Sequence, residues 1–174
     1  MNIENLIQID PNEKIFVDTN ILVFLFSPAF VDSKKWQIEK YNQIVSRLLS
    51  SGNKMYINSH VVSEFINLCL RMDFNKNFNK DKNKNFKNDY RKSADYTNTL
   101  GIILSELKKI LDITSTVNDD FVSFDILSEC KCNQQLDFND LVIARTVINN
   151  NFSLLSDDTD FDYYQGIKKF NFKK

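Results

Sequence analysis

The chain has 174 residues, 43% of them hydrophobic, which is enough for one domain with a full core. Its formal net charge of −1 excludes a protein that coats nucleic acid with a uniformly basic surface. The three cysteines form no disulfide or zinc pattern, and neither a signal peptide nor an apolar run of the ~18 residues that span a membrane is present, so we expect a cytoplasmic protein with no membrane partner.

The first predicted element is a buried strand, Ile15–Val17, which ends at Asp18 and is followed by a helix that runs to Phe26. The elements predicted after it are, in chain order, loop Pro28–Ser33, helix Lys34–Leu49, strand Met55–Asn58, helix His60–Met72 with Ser59 as N-cap, helix Ala94–Leu111, strand Ile113–Val117, a helix from Asn118 or Asp119 to Ser128, helix Phe138–Ile148 opened by Asp137, strand Phe152–Leu155 and an edge strand within Ile167–Phe172. Strands that alternate with helices predict an α/β fold with a mostly parallel sheet flanked by helices.

Residues 73–92 depart from this alternation because they are nearly all Asn, Lys, Asp and aromatic residues. Seven basic and two acidic residues give the segment Phe74–Lys92 a net charge of +5, which leaves −6 for the rest of the chain. Three interpretations stay open: an RNA-binding arm whose aromatics stack on bases, a helical hairpin whose aromatics pack inward, or a disordered loop. In the first, this insert in a single domain of residues 1–174 would bind RNA through Lys80, Lys82, Lys84 and Lys87.

Acidic residues recur at one kind of place in the predicted fold. Asp18 ends the first strand, Glu64 lies in the first turns of a helix that follows a strand, and Asp140 lies in the first turn of a later helix. The strand Phe152–Leu155 is followed by Asp157, Asp158 and Asp160. In a parallel sheet these positions share the rim at the carboxyl ends of the strands. Carboxylates that converge there repel one another by roughly a few kcal/mol per close pair unless a hard cation such as Mg²⁺ or Mn²⁺ neutralises them.

Each of these carboxylates also has an ordinary structural explanation. Asp137 and Asp140 could stabilise a helix N-terminus, Glu64 could be capping or solvated, and the run from Asp157 could be a turn rich in Asx residues. Their joint occurrence favours a metal site, which would support attack of an activated water on a phosphodiester. Cleavage by two histidines is poorly supported because His60 is the only histidine, and the sequence has no P-loop motif.

The motifs that carry these residues resemble those of the PIN-domain nucleases. VDTNILV is followed by SEF within a helix, by DFNDLVIA at the start of a later helix and by LLSDDTDF after a late strand, in the order of the family. The resemblance implies a three-layer PIN-like fold and an endoribonuclease that depends on Mg²⁺ or Mn²⁺ and leaves a 5′-phosphate and a 3′-hydroxyl. The catalytic, metal-binding carboxylates that it implies are Asp18, Glu64, Asp140 and Asp158, with Asp160 as a further metal ligand, and the polar residues that would orient them or the phosphate are Thr19, Asn20 and Ser156. Which of Asp157, Asp158 and Asp160 is the fourth ligand stays open.

Stand-alone PIN domains of this size resemble the VapC-type toxins of toxin–antitoxin pairs. That resemblance implies an RNA substrate, an antitoxin that covers the site and a homodimer. The insert after the Glu64 helix departs from the compact pattern of those toxins. An RNA-processing PIN nuclease without an antitoxin and a catalytically silent PIN-like scaffold that binds RNA or protein remain alternatives, although a scaffold has no reason to keep four mutually repelling carboxylates.

Overall fold

The fold is a five-stranded sheet whose neighbouring strands are all parallel, in the order β3-β2-β1-β4-β5. The computed structural model describes residues 9–28, 35–80, 83–119, 125–134 and 136–170. The strands are β1 (Ile15–Val17), β2 (Met55–Ile57), β3 (Ser115–Thr116), β4 (Ser153–Leu155) and β5 (Lys169–Phe170). The helices are α1 (Thr19–Phe26), α2 (Lys35–Ser50), α3 (Ser59–Asp73), α4 (Ala94–Ile113), α5 (Ile126–Cys132) and α6 (Phe138–Asn149). The predicted α/β class is therefore confirmed.

The order of the strands places a crevice between β1 and β4. From β1 the chain moves outward in one direction to β2 and β3, and it then crosses over to β4 and β5 on the other side of β1. Because such crossovers are right-handed, the helices that connect β1 to β3 lie on one face of the sheet and those that precede β4 lie on the other. At the reversal the connections leave the central strands in opposite directions, which opens a crevice at their carboxyl ends.

The central strands are apolar because they are covered on both faces. Every residue of β1 and β4 is buried, and the two strands pair in register from Ile15 opposite Ser153 to Val17 opposite Leu155. Helix α2 is amphipathic, with Tyr41, Ile44, Val45 and Leu48 on its buried face, whereas Trp36 is 45% exposed. Among the residues that the structure describes, no helix is both long and apolar enough to cross a membrane.

Two predicted helix starts are wrong. Asn58, and not Ser59, caps α3, because its side-chain oxygen accepts a hydrogen bond from the backbone N–H of Val61 at 3.1 Å. Helix α5 begins at Ile126 with Asp125 as its cap, whereas Asp119 accepts a hydrogen bond from the Ser59 hydroxyl at 2.6 Å. Residues 120–124, most of the predicted loop at 29–33 and the predicted strand end at 171–172 lie outside the described residues.

The aromatic residues of segment 73–92 pack inward, as the second of the three interpretations predicts. Tyr90 is fully buried, and its ring lies 5.1 to 5.5 Å from the ring centroids of Phe74, Phe78 and Phe86. The Tyr90 hydroxyl donates to Asp73 at 2.6 Å. Phe74 and Tyr90 are buried core side chains, and Phe78 and Phe86 are partly buried against them, so the packing favours the second interpretation over stacking on RNA bases. The lysines Lys80, Lys84 and Lys87 are exposed, and Lys82 lies outside the described residues.

Candidate metal centre

Asp18 lies at the carboxyl end of β1, where it caps α1, and it is only 5% exposed. One carboxylate oxygen accepts from the backbone N–H of Thr19 at 2.6 Å. The other accepts from the hydroxyl of Ser156 at 2.6 Å and from the side-chain amide of Asn20 at 2.8 Å. Because Ser156 directly follows β4, the carboxylate is held in one orientation across the mouth of the crevice between β1 and β4.

Glu64 approaches Asp18 from α3. Its carboxylate accepts a hydrogen bond from the Thr19 hydroxyl at 2.8 Å, so Thr19 contacts both acids, one through its backbone and one through its side chain. Helix α3 packs against α1, which brings the second turn of α3 to the start of α1. The two carboxylates are thus positioned by neighbouring helices that follow neighbouring strands.

Asp140 lies in the first turn of α6, where Asp137 is the N-cap, as predicted. The backbone N–H of Asp140 donates to the Asp137 side chain at 3.0 Å, which closes the first turn of the helix. At the same end of the helix, Asn139 lies 3.1 Å from a ring nitrogen of His60, a contact that joins the starts of α6 and α3.

The three acidic residues after β4 have different partners. The Asp158 carboxylate accepts from the backbone N–H of Asp160 at 2.8 Å and closes a tight turn, while its own N–H donates to Ser156 at 3.0 Å. The Asp157 carboxylate points instead to α2, where it accepts from the Tyr41 hydroxyl at 2.6 Å and from Gln37 at 3.4 Å.

Lys169 of β5 contacts the same turn through its side chain. Its side chain is 8% exposed, donates to the backbone carbonyl of Asp158 and forms an ion pair with Asp162. Lys169, Tyr41 and Gln37 were missed by the sequence analysis. They contact the turn across 11 to 120 residues of chain, and no local motif marks such partners.

The electrostatics of the acidic side chains indicate that they lie near one another. Burial raises the pKa of Asp18 to about 7, against hydrogen bonds from Ser156 and Thr19 that lower it, and the charges of Glu64 and Asp158 raise it further. Burial also raises the pKa of Asp140 to about 7, with added repulsion from Asp137, Asp18 and Asp158. The charge of Asp158 contributes to the raised pKa of both acids, so Asp158 lies near both the buried Asp18 and the half-buried Asp140.

Comparison with known families agrees with this geometry. The family model described as PIN domain matches residues 15–167. The chain belongs to the PIN domain family. Members of this family are generally nucleases that use divalent metals. Among solved structures, this PIN domain is similar to a chain of the crystal structure of VapBC2 from Rickettsia felis bound to a DNA fragment from their promoter, with 18% identity, a TM-score of 0.55, and coverage of 90% of this chain and 97% of that chain. At that identity the likeness shows the fold alone. No curated protein matches the sequence.

The side chains of this PIN domain fit a hard divalent cation in their chemistry. All four predicted ligands offer carboxylate oxygens, the donors that Mg²⁺ and Mn²⁺ prefer. Among the described residues, no Lys or Arg forms an ion pair with Asp18, Glu64, Asp140 or Asp158, so no basic side chain neutralises them. In the same part of the chain, no three acidic, His or Cys side chains already stand close enough together to hold an ion. The four carboxylates are therefore suitable ligands for such an ion, but they lie further apart than the ligands of a bound ion do.

Proposed function

We propose that this PIN domain is a single-domain cytoplasmic endoribonuclease that depends on Mg²⁺ or Mn²⁺. The observation that carries the proposal is the position of Asp18. It is a carboxylate at the crevice between β1 and β4 whose pKa is raised by burial and, to a smaller extent, by the charges of Glu64 and Asp158, and it is paired with no basic side chain among the described residues. Such a carboxylate is costly for stability unless a cation compensates it, and this place in the sheet is where α/β folds bind ligands.

The metal ligands would be Asp18, Glu64, Asp140 and Asp158. A divalent ion held there supplies Lewis-acid stabilisation of the charge that develops on the scissile phosphate and an activated water as nucleophile. Ser156 and Asn20 orient Asp18 through hydrogen bonds, and Thr19 orients Glu64.

For the fourth ligand, the repulsion that Asp158 exerts on both Asp18 and Asp140 favours Asp158. Asp160 is held beside it by the turn and serves as a further ligand in this proposal. Asp157 has the role of an anchor to Tyr41 instead.

We assign the chain the role of a toxin that an antitoxin restrains, and we expect it to be a homodimer. The support is the likeness of its fold to a chain of the VapBC2 complex over 90% of its length. An RNA-processing nuclease without an antitoxin is the alternative, and the insert at 73–92 favours it. A silent scaffold is the third candidate, and the unneutralised acidic set argues against it.

Cleavage of total cellular RNA by purified protein tests the nuclease. We expect discrete new bands with Mg²⁺ or Mn²⁺, none with a chelator, and a loss of at least about 100-fold in rate in Asp18→Asn, since the charge that binds the ion is removed. Asp112→Asn is the matched control because Asp112 is an exposed acid in the last turn of α4. Equal cleavage by Asp18→Asn and the parent would contradict the proposal, and so would cleavage that survives the chelator.

A further inference from the structure

An open cavity of about 360 Å³, within the size range of ligand pockets, lies at the C-terminal end of α5. Its lining includes Lys131, Cys132, Asn133, Leu136, Tyr163 and Tyr164. The cavity lies between the C-terminal end of α5, the segment that leads into α6, and the chain that follows the acidic turn after β4.

Two of the lining residues are close along the chain to residues of the candidate metal centre. Leu136 immediately precedes Asp137, the cap of the helix turn that carries Asp140. Tyr163 ends the short 3₁₀ helix that begins at Asp160, and such a helix rises only about 2 Å per residue. The cavity is thus close enough to the acidic rim for one strand of nucleic acid to contact both.

The wall of the cavity is fixed by Glu129. The side-chain amide of Asn133 donates to the backbone carbonyl and the carboxylate of Glu129 at 3.2 and 3.0 Å, and the Tyr164 hydroxyl donates to the same carboxylate at 2.8 Å. Arg145 forms an ion pair with Glu129. Because both partners of the Asn133 nitrogen are acceptors, its Oδ1 is left as the atom that can accept a hydrogen bond from a ligand.

Two side chains of the cavity have no partner in the part of the chain that the structure describes. Tyr163 is 69% exposed and makes no ring contact or hydrogen bond there, although tyrosine is a large apolar ring that a folded chain normally packs. Lys131 is exposed and forms no ion pair there. An unpacked aromatic ring, a free cation and an oriented acceptor thus meet in one cavity.

We propose that this cavity binds one unpaired base of the RNA substrate next to the phosphate that is cut. The base stacks on Tyr163, its amino or imino edge donates to Asn133, and Lys131 meets an adjacent phosphate. The proposal rests on the proposed function in that it places the base of the same substrate. A protein side chain in the cavity, such as one from an antitoxin, is the competing occupant.

Binding of a labelled, unstructured single-stranded RNA to Asp18→Asn protein with Mg²⁺, followed by fluorescence anisotropy, tests the base site without cleavage. Adding Tyr163→Ala weakens binding about 5- to 150-fold, the loss expected for one stacked base, and Tyr163→Phe restores it. Leu127→Ala, which removes a 72% exposed side chain from α5, leaves the affinity unchanged. Equal affinity of the Tyr163→Ala and parent proteins overturns the proposal.

Alkylation of the two exposed cysteines of α5 gives an independent readout. Cys132 lines the cavity and Cys130 does not, so bound RNA slows modification of Cys132 and leaves Cys130 unchanged. Equal rates at both cysteines, with or without RNA, overturn the proposal.

The two proposals fail separately. If wild-type protein cuts RNA while Tyr163→Ala keeps the same KM and cleavage sites, the base site is wrong and the nuclease stands. If RNA binding depends on Tyr163 but wild-type protein cuts nothing, the base site stands and the nuclease is wrong.

Discussion

At the residue scale, Asp18 makes the stability of the metal-free protein depend on pH. Its pKa in the fold is about 7, against about 3.9 in an unfolded chain, so the folded state binds more protons between these two values. Stability is therefore highest near the lower value and falls as the pH rises towards the upper one. The raised pKa of Asp140 likewise makes the stability fall as the pH rises.

We expect the melting temperature measured in chelator to fall between about pH 4 and about pH 7, the range between the unfolded and folded pKa values of these two acids. Asp18→Asn removes one of the two responsible groups, so its fall should be shallower, by up to about 1.4 kcal/mol per pH unit in the free energy of unfolding. Differential scanning fluorimetry across this range measures the effect, with Asp112→Asn as the exposed control. An equal fall in Asp18→Asn and in the parent would show that the fold does not raise the pKa of Asp18, and a steeper fall in the variant would show that the fold lowers it.

Tyr41 gives a second prediction because its buried hydroxyl anchors Asp157 and thereby the turn that carries Asp158. Tyr41→Phe should lower the free energy of unfolding by about 1–3 kcal/mol, since a bond to a carboxylate is lost. It should also reduce kcat more than it raises KM, because the turn loses its fixed position.

Urea denaturation and steady-state cleavage kinetics measure the two effects of Tyr41→Phe. Tyr56→Phe is the control, since the Tyr56 hydroxyl has no hydrogen bond to any residue within the described ranges. Identical kcat for the Tyr41→Phe and parent proteins would mean that Asp157 does not position the turn.

The sequence could predict that the acidic residues lie at one edge of the sheet, but it could not predict which side chains each of them contacts. Asp18, Asp140 and Asp158 follow predicted strands or open predicted helices, so the sheet topology alone brings them to one rim. The partner of Asp157 lies 116 residues away on α2, and only tertiary packing selects Tyr41 for that contact.

At the element scale, segment 73–92 shows what periodicity cannot decide. Its aromatics are spaced at multiples of four residues, a spacing that drifts around a regular helix. In the structure the segment consists instead of a short π-helix, a turn and a 3₁₀ helix. This irregular backbone lets the three Phe rings pack around Tyr90. The hydrophobic content predicts a packed cluster, whereas the irregular backbone that forms it has no sequence signal.

Because the aromatic rings pack against the protein, the lysines are the side chains of this segment that can still contact RNA. We expect replacement of Lys80, Lys82, Lys84 and Lys87 by Ala to flatten the salt dependence of RNA binding, lowering the slope by about 0.7 for each lysine that contacts a single-stranded phosphate. The melting temperature should stay the same, because the described members of the set are exposed.

Anisotropy titrations at several salt concentrations measure this slope. The matched control replaces four exposed lysines away from the segment: Lys14, Lys35, Lys54 and Lys108. An equal change of slope in both variants would show a general effect of charge, and an unchanged slope in both would remove the lysines of segment 73–92 from the RNA contact.

At the scale of the whole molecule, the alternation of strands and helices was sufficient to predict a parallel sheet. The order of the strands was not predictable in the same way. It depends on the crossover from β3 to β4, which passes through residues without a strong pattern and places β4 against β1. Because Val17 pairs with Leu155, the carboxyl ends of β1 and β4 lie side by side at the crevice.

The toxin role makes a prediction for the cell. Induced expression of the chain should arrest growth, expression of Asp18→Asn should not, and the product of a short neighbouring reading frame should relieve the arrest when it is co-expressed. Growth curves with immunoblots for equal protein levels measure these effects. Normal growth with active wild-type protein would favour the RNA-processing alternative.

The hydrogen bond between Ser156 and Asp18 joins residues 138 positions apart. On the ribosome, Asp18 emerges long before β4 and the turn that carries Asp158. A nascent chain that has reached the end of α6 carries Asp18, Glu64 and Asp140 but lacks Ser156, the residue that orients the Asp18 carboxylate. The acidic rim is therefore assembled only after β4 and the turn that follows it have been made, and a chain released before that point lacks the complete centre.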